Sequence, residues 1–244
     1  MHQVPHLQVV TFNCEWRRTR SADAALIRER CLADGPDVIC LTETHSGFME
    51  GVGHEVLASP ITSYPANSTR RKVLLWSKRP WTEVDAAGPP GIPPGRFVAA
   101  TTDTPLGPIR FVGVVIPYRF AGVRTGVPKR TDWELHLEYL AALEEVAKVA
   151  AERSVVVGDF NQRVPAKYQP KKIYSALEAS VLKHLPLATG GVLQPAGRQA
   201  IDHICHSRDL ACVIARSLSN ARPGGGQISD HFGVLAEFRQ AGQT

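Results

Sequence analysis

Short apolar runs that stop abruptly dominate this chain. Five of them are bounded by a carboxylate, an amide or a histidine: Thr11-Phe12-Asn13, Leu41-Thr42-Glu43-Thr44, Gly158-Asp159-Phe160-Asn161, Ile201-Asp202-His203 and Ser229-Asp230-His231. Apolar runs broken by turn residues read as strands, and strand ends are where a rigid sheet presents side chains to a shared cleft. Hard oxygen donors with one imidazole, gathered in one place, suit Mg²⁺-assisted chemistry on a phosphate.

The pattern predicts strands over Leu7 to Cys14, Asp37 to Leu41, Val56 to Ala58, Lys72 to Ser77, Trp81 to Val84, Arg96 to Thr102 and Ile109 to Ile116, the last five as one meander. Further strands are expected over Ser154 to Gly158, Ile201 to His206, Ala211 to Ala215 and Phe232 to Phe238. Helices are expected over Asp23 to Leu32, from Thr131, and over Lys171 to His184. Thr131 and Glu134 suggest a capping box, followed by an apolar face of Leu135, Leu137, Leu140, Leu143, Val146, Ala147 and Ala150. Gly88 to Gly95 reads as a surface loop rather than a linker, since strands continue on both sides without a shift in composition. Many strands with few helices argue for two packed sheets with helices outside.

With 244 residues, 43% of them hydrophobic, the chain is long enough to bury a full core. The five cysteines form no Cys-x-x-Cys pair, which points to buried reduced thiols rather than a disulfide framework or zinc site. No leader pattern and no apolar run near the roughly 20 residues of a membrane span are evident, which predicts a cytoplasmic protein without a membrane span. The net charge of +5 favours an anionic partner.

Gly158-Asp159-Phe160-Asn161 is the sharpest motif, because Val155, Val156 and Val157 place it just past a buried strand. A carboxylate there can accept a proton from water, and an amide can donate to a phosphoryl oxygen. Asp230 and His231 can respectively bind a metal and contact a phosphate, and a buried Asp202 can orient the His231 ring. Glu43, closing an apolar strand, suits a hard metal ion. Taken singly, each of these, Asn13 above all, also fits ordinary turn chemistry. His203 reads as a packed or exposed histidine rather than a participant.

Together, in this order and spacing, Asn13, Glu43, Asp159, Asn161, Asp202, Asp230 and His231 resemble the endonuclease/exonuclease/phosphatase superfamily, which includes exonuclease III-like repair enzymes, deoxyribonucleases, inositol-polyphosphate phosphatases and sphingomyelinases. The most specific pieces are Pro-Asp-Val-Ile-Cys-Leu-Thr-Glu-Thr at 36–44, Gly-Asp-Phe-Asn at 158–161 and Ser-Asp-His at 229–231. The resemblance implies an α+β fold, a four-layer αββα sandwich of two mainly antiparallel sheets, spanning residues 1–244 as one domain with its core at about 7–239. It implies Mg²⁺, with Mn²⁺ as a substitute, held by Glu43 and Asp230. Asp159 would activate water, Asn161 and His231 would steady the phosphoryl oxygens, Asp202 would orient His231, and Asn13 would bind the phosphate or Asp159. Val115-Ile116-Pro117-Tyr118 stands where repair endonucleases carry Tyr-Val-Pro-Asn, so Tyr118 is a candidate phosphate contact from a shifted position and abasic-site specificity is left open.

Basic clusters follow several of these strand ends: Arg17, Arg18 and Arg20; Arg70, Arg71 and Lys72; Arg119, Arg124, Lys129 and Arg130; Arg163, Lys167, Lys171 and Lys172. Arg17, Arg119 and Arg130 stand first as substrate contacts, making nucleic acid, DNA foremost, the expected partner. Tyr64, Trp76, Trp81 and Trp133 read as core, leaving no evident platform for stacking bases, and no protein partner is inferable. The leading expectation is a metal-dependent nuclease. A phosphatase of a small or lipid phosphate and a non-catalytic nucleic-acid binder stand as alternatives, with loops 60–71, 119–131 and 161–200 setting substrate choice.

Overall fold

A computed structural model describes residues 5–61, 65, 68–124, 129–150 and 152–242. The chain opens with strand β1 (Leu7–Asn13), helix α1 (Ala22–Leu32) and strand β2 (Val38–His45). Ser21 caps α1, its hydroxyl accepting the Ala24 amide at 3.2 Å. Strands β3 (His54–Leu57), β4 (Arg70–Ser77), β5 (Trp81–Asp85), β6 (Phe97–Thr104) and β7 (Gly107–Val115) follow. Then come helix α2 (Glu134–Val149), strand β8 (Ser154–Asp159) and helix α3 (Lys171–Leu177), which runs into a π-helical turn at Glu178–Leu182. Strands β9 (Val192–Leu193), β10 (Arg198–Gln199), β11 (Asp202–His206), β12 (Leu210–Leu218) and β13 (Gly233–Gln240) complete the order.

Two sheets result, one ordered β12-β13-β1-β2-β4-β3 and the other β11-β8-β7-β6-β5, with β9 and β10 as a separate small hairpin. Pairing is mainly antiparallel. Each sheet contains one parallel pair, β1 with β2 and β7 with β8, whose crossovers carry α1 and α2.

The alternation of apolar residues dictates the layers. Val9, Cys40, Val73 and Leu75 from the first sheet meet Val98, Phe111, Val155 and Val157 from the second in a central core. Residues one step along face outward: Val10, Ile39, Leu41 and Trp76 pack under α1, and Val112, Val114 and Val156 pack under α2 and α3. The order of layers is therefore helix, sheet, sheet, helix. The Gly88 to Gly95 segment is a loop between β5 and β6 of one sheet.

Four local expectations need correction. The expected meander is split: β3 and β4 belong to the first sheet and β5, β6 and β7 to the second, because the chain crosses between sheets at Lys78-Arg79-Pro80. The buried face of α2 includes His136 and Tyr139 in place of Leu135 and Leu137, since both polar groups find buried carbonyl partners. Glu134 does reach back to the Thr131 amide at 2.8 Å, but the Thr131 hydroxyl also donates to Glu134, and Trp133, with φ 68°, occupies the cap position without a side-chain cap bond. The helix from Lys171 is regular only to Leu177 and then widens into the π turn. Tyr64 lies outside the described residues, as do parts of the 60–71 and 119–131 loops. All five cysteines are free, four of them buried.

Candidate active site

Strand direction explains why remote residues meet. Asn13 ends β1, and Glu43 lies at the same edge because β2 runs parallel to β1. Asp159 ends β8, antiparallel β11 starts opposite it with Asp202 paired to Asp159, and antiparallel β13 starts just after Asp230-His231 beside the end of β1. Both sheets thus deliver their functional residues to one edge of the sandwich. Gly158 is required near the end of β8: its φ is 140°, and a Cβ there would lie 2.1 Å from the Val114 carbonyl oxygen on the neighbouring parallel strand.

Local hydrogen bonds fix each side chain. Asp159 is buried, and one of its oxygens accepts the Asn161 amide at 2.9 Å, closing an Asx turn. Asn161 sits at φ 53°, and its side-chain amide donates to the Ile116 carbonyl at 2.9 Å, leaving its second N–H available. Asn13 accepts the Glu15 amide at 2.8 Å. Glu43, at φ 46°, lies between the Thr42–Val73 and Thr44–Arg71 pairs of an unshifted β2–β4 register, and its carbonyl accepts the Trp16 amide at 2.7 Å. Ser229 donates to the Asn13 carbonyl at 2.7 Å and accepts the His231 amide at 3.2 Å, tying the Ser-Asp-His loop to β1. The two sheets meet through His231, whose Nδ1 lies 2.6 Å from an Asp202 oxygen. Its Nε2 is left facing outward, 3.9 Å from Asp230.

Asp159, Asp202 and His231 each offer a ligand atom, all within 4.8 Å of one another. Burial and then the Asp202 charge push Asp159 up to about 7, against the pull of His231 and the Asn161 amide. Burial disfavours charge on His231, but Asp202, with help from Asp159 and Asp230, outweighs it and raises the imidazole to about 10. Burial also raises Glu43, with Lys72 and His231 opposing and Asp230 adding to the rise. Glu43, Asp159, Asp230 and His231 therefore act on one another's charge within one site.

The donors fit a hard divalent cation. The second oxygen of Asp202 is buried without a hydrogen-bond partner, and burial first, with neighbouring acids adding to it, disfavours charge on Asp159 and Glu43, a cost that a divalent ion would offset. Glu43 and Asp230 are the more accessible carboxylates, with side chains 28% and 67% exposed.

Two cations beside these acids carry no site role in the sequence reading, where Lys72 stands only in a basic cluster. Lys72 lies 3.8 Å from Glu43, and burial, then Arg96, lowers it to about 8. Arg96 is only 9% exposed, donates to the Val115 carbonyl at 3.1 Å, and feels the charges of Asp159, Glu43 and Tyr118. Lys72 follows Arg70 and Arg71 into β4 and Arg96 directly precedes β6, where nothing in the sequence separates them from ordinary flanking charges. Also missed was a buried bridge in which Gln162 contacts His136 at 2.7 Å and its carbonyl meets His203 at 2.9 Å, bracing the residue beside Asn161. His203 is packed.

The other expected contacts surround this site differently. Tyr118 is half exposed on the loop after β7. Arg17 donates to the Ile228 carbonyl at 2.9 Å and pairs with Glu15 at 2.7 Å; Arg119 pairs with Asp132, and Arg130 with Glu134 and Glu138. Arg163 and Arg198 instead flank a small cleft of about 50 Å³ that Asp202, Asp230 and His231 also line.

A family model described as "Endonuclease/Exonuclease/phosphatase family" matches residues 10–231. No curated protein matches. Among solved structures, the fold is similar to a Neisseria 3′ phosphatase, NExo, bound to a product DNA hairpin (23% identity, covering 95% of this chain and 99% of that one, TM-score 0.65). It is also similar to D. rerio TDP2 complexed with single-strand DNA product (12% identity, 96% and 99%, TM-score 0.69). An endonuclease/exonuclease/phosphatase from Beutenbergia cavernae shares it too (17% identity, 98% and 72%, TM-score 0.64). At these identities the likeness is one of fold.

Proposed function

This chain belongs to the endonuclease/exonuclease/phosphatase family, and from that premise we propose that it is a Mg²⁺-dependent phosphodiester hydrolase acting on nucleic acid, DNA foremost, through in-line attack of water. The observation that carries this reading is the Asp159–Asp202–His231 cluster, in which one buried carboxylate and one imidazole lie within reach of each other and both are raised, each in the direction its role needs. Asp159, raised toward neutrality, takes the proton of the attacking water. His231, kept protonated by Asp202, presents Nε2–H to a phosphoryl oxygen. Asn161 offers its spare amide N–H to the same group, Asn13 holds the phosphate-side edge of β1, and Tyr118 contacts the phosphate from the rim. Glu43, with Asp230, would hold the divalent ion, which when bound supplies charge to the phosphoryl oxygens.

Arg163 and Arg198, flanking the cleft, favour a chain of phosphates over a lone one. NExo and TDP2, whose complexes contain DNA, support the same direction. The test is hydrolysis of plasmid, single strands, abasic duplex, inositol phosphates and sphingomyelin in Mg²⁺, Mn²⁺ or EDTA. Nucleic-acid cleavage with metal, none in EDTA, and a steep decline with salt are expected. Turnover of only the small or lipid phosphates would move the assignment to a phosphatase. Binding of nucleic acid in EDTA with no turnover of any substrate would make the protein a binder.

A further inference from the structure

Exposed aromatic side chains are costly in water, so their placement is informative. Among the described residues, the exposed aromatics are Tyr118, Phe120 and Tyr168, and all three lie on the loops that leave β7 and β8 at the candidate active site. Tyr168 is 84% exposed and sits at φ 73°, a left-handed conformation that a bulky residue adopts only at a cost. The Arg163 guanidinium lies 5.6 Å and the Lys167 ammonium 5.1 Å from its ring centre. Neither cation pairs with an acid among the described residues. A cleft of about 200 Å³ joins Tyr168, Lys167 and Arg163 to Trp133, Arg119 and Asn161. Arg163 also lines the cleft beside His231, so the two spaces adjoin.

Resting on the nucleic-acid reading above, we propose that this cleft is a subsite for an unpaired nucleobase next to the scissile phosphate, with the base stacked on Tyr168 and the flanking phosphates held by Arg163 and Lys167. A solvated basic loop has no need of an exposed ring carrying two cations against it. A stacked base has, because every base presents a π-face while the backbone needs compensating charge. Paired bases are hidden in their own stack, so the subsite selects single strands, frayed ends or flipped-out nucleotides. The notion that this chain lacks a stacking platform is thereby replaced: the platform is Tyr168, a residue in a polar loop that no periodic pattern marks.

The test uses the full chain in EDTA, so that no turnover occurs, with three fluorescent strands of equal length: oligo-dT, oligo-rU and a base-free deoxyribose-phosphate strand. Wild type is expected to bind the two base-bearing strands more tightly than the base-free one. Tyr168→Ala should weaken binding of the base-bearing strands by about 5- to 100-fold and leave the base-free strand within about twofold, since one base stack is worth that much. Tyr168→Phe, which keeps the ring, should bind like wild type. Equal loss for all strands in Tyr168→Ala, or equal wild-type affinity with and without bases, would overturn the subsite and leave the hydrolase reading standing. Failure of wild type to bind any strand would also overturn the subsite, while the hydrolase reading stands or falls on cleavage in Mg²⁺.

Discussion

Asp159→Asn should make the protein more stable and nearly inactive at once. The substitution is isosteric, and the new amide oxygen can still accept the Asn161 N–H that closes the turn at 2.9 Å. What changes is the charge. Raising the carboxyl from 3.8 to about 7 corresponds to about 4 kcal/mol of disfavoured ionisation, set by burial and by Asp202. If relaxation absorbs half of that, about 2 kcal/mol remains, enough to raise Tm by roughly 4–8 °C in a chain of 244 residues. The sign follows from linkage. An acid whose folded pKa lies above its unfolded value stabilises the protein while protonated and loses that contribution as pH rises through the folded pKa. Variant and wild type should therefore melt together near pH 4 and separate progressively to pH 7 and above in EDTA. Saturating Mg²⁺ should narrow the gap, because an ion that binds only the folded wild type stabilises it. Cleavage in Mg²⁺ should fall by about 10²- to 10⁴-fold, the usual contribution of a general base. Scanning calorimetry and plasmid nicking decide the matter. A variant that melts at or below wild type at pH 8, or that retains full activity, would refute the reasoning.

Lys72→Met removes an ammonium 3.8 Å from Glu43 that competes with any cation there, so half-saturating Mg²⁺ at pH 7, where the lysine is mostly protonated, should drop by about fivefold or more. An unchanged or higher Mg²⁺ requirement would count against Glu43 as a ligand. His136 is buried, and burial lowers it from 6.5 to about 4 despite the bond to the Pro117 carbonyl. Its unfolded form takes a proton that the folded form refuses, so stability should fall by up to about 3 kcal/mol as pH drops from 6.5 to 4. His136→Asn, assayed by urea melts, should lose that part of the slope; an identical slope would show that the histidine does not titrate on unfolding.

The legible parts of the chain are those where local chemistry and tertiary role agree. Ser154 to Gly158 announces β8 because its three consecutive valines need cover on both faces, and Asp159 is visible as the polar residue that ends it. The Ser-Asp-His loop is legible for a similar reason, standing between a glycine-rich turn and an apolar strand. Tertiary context decides the rest. Arg96 and Lys72 belong to the site only because the sheet edges converge there, and Arg96 is placed partly by Tyr139, whose hydroxyl donates to its carbonyl at 2.7 Å from a helix 43 residues away. The left-handed backbone at Glu43 and the bond that its carbonyl accepts from the Trp16 amide of another loop are likewise features of the folded chain. Arg17, Arg119 and Arg130 look free in sequence, but their acidic partners fold back onto them. Tyr168 carries no signal, since exposure belongs to the folded loop and not to its composition.

That Glu43, with Asp230, holds a catalytic divalent ion beside the acids of the second sheet is tested most directly by titrating Mg²⁺ into metal-free wild type and Glu43→Gln while measuring cleavage of a DNA strand. Wild type should be inert in EDTA and saturate with Mg²⁺, and Glu43→Gln should need at least tenfold more Mg²⁺ or stay inactive while melting normally. Undiminished cleavage in EDTA, or a Mg²⁺ curve that Glu43→Gln leaves in place, would contradict it.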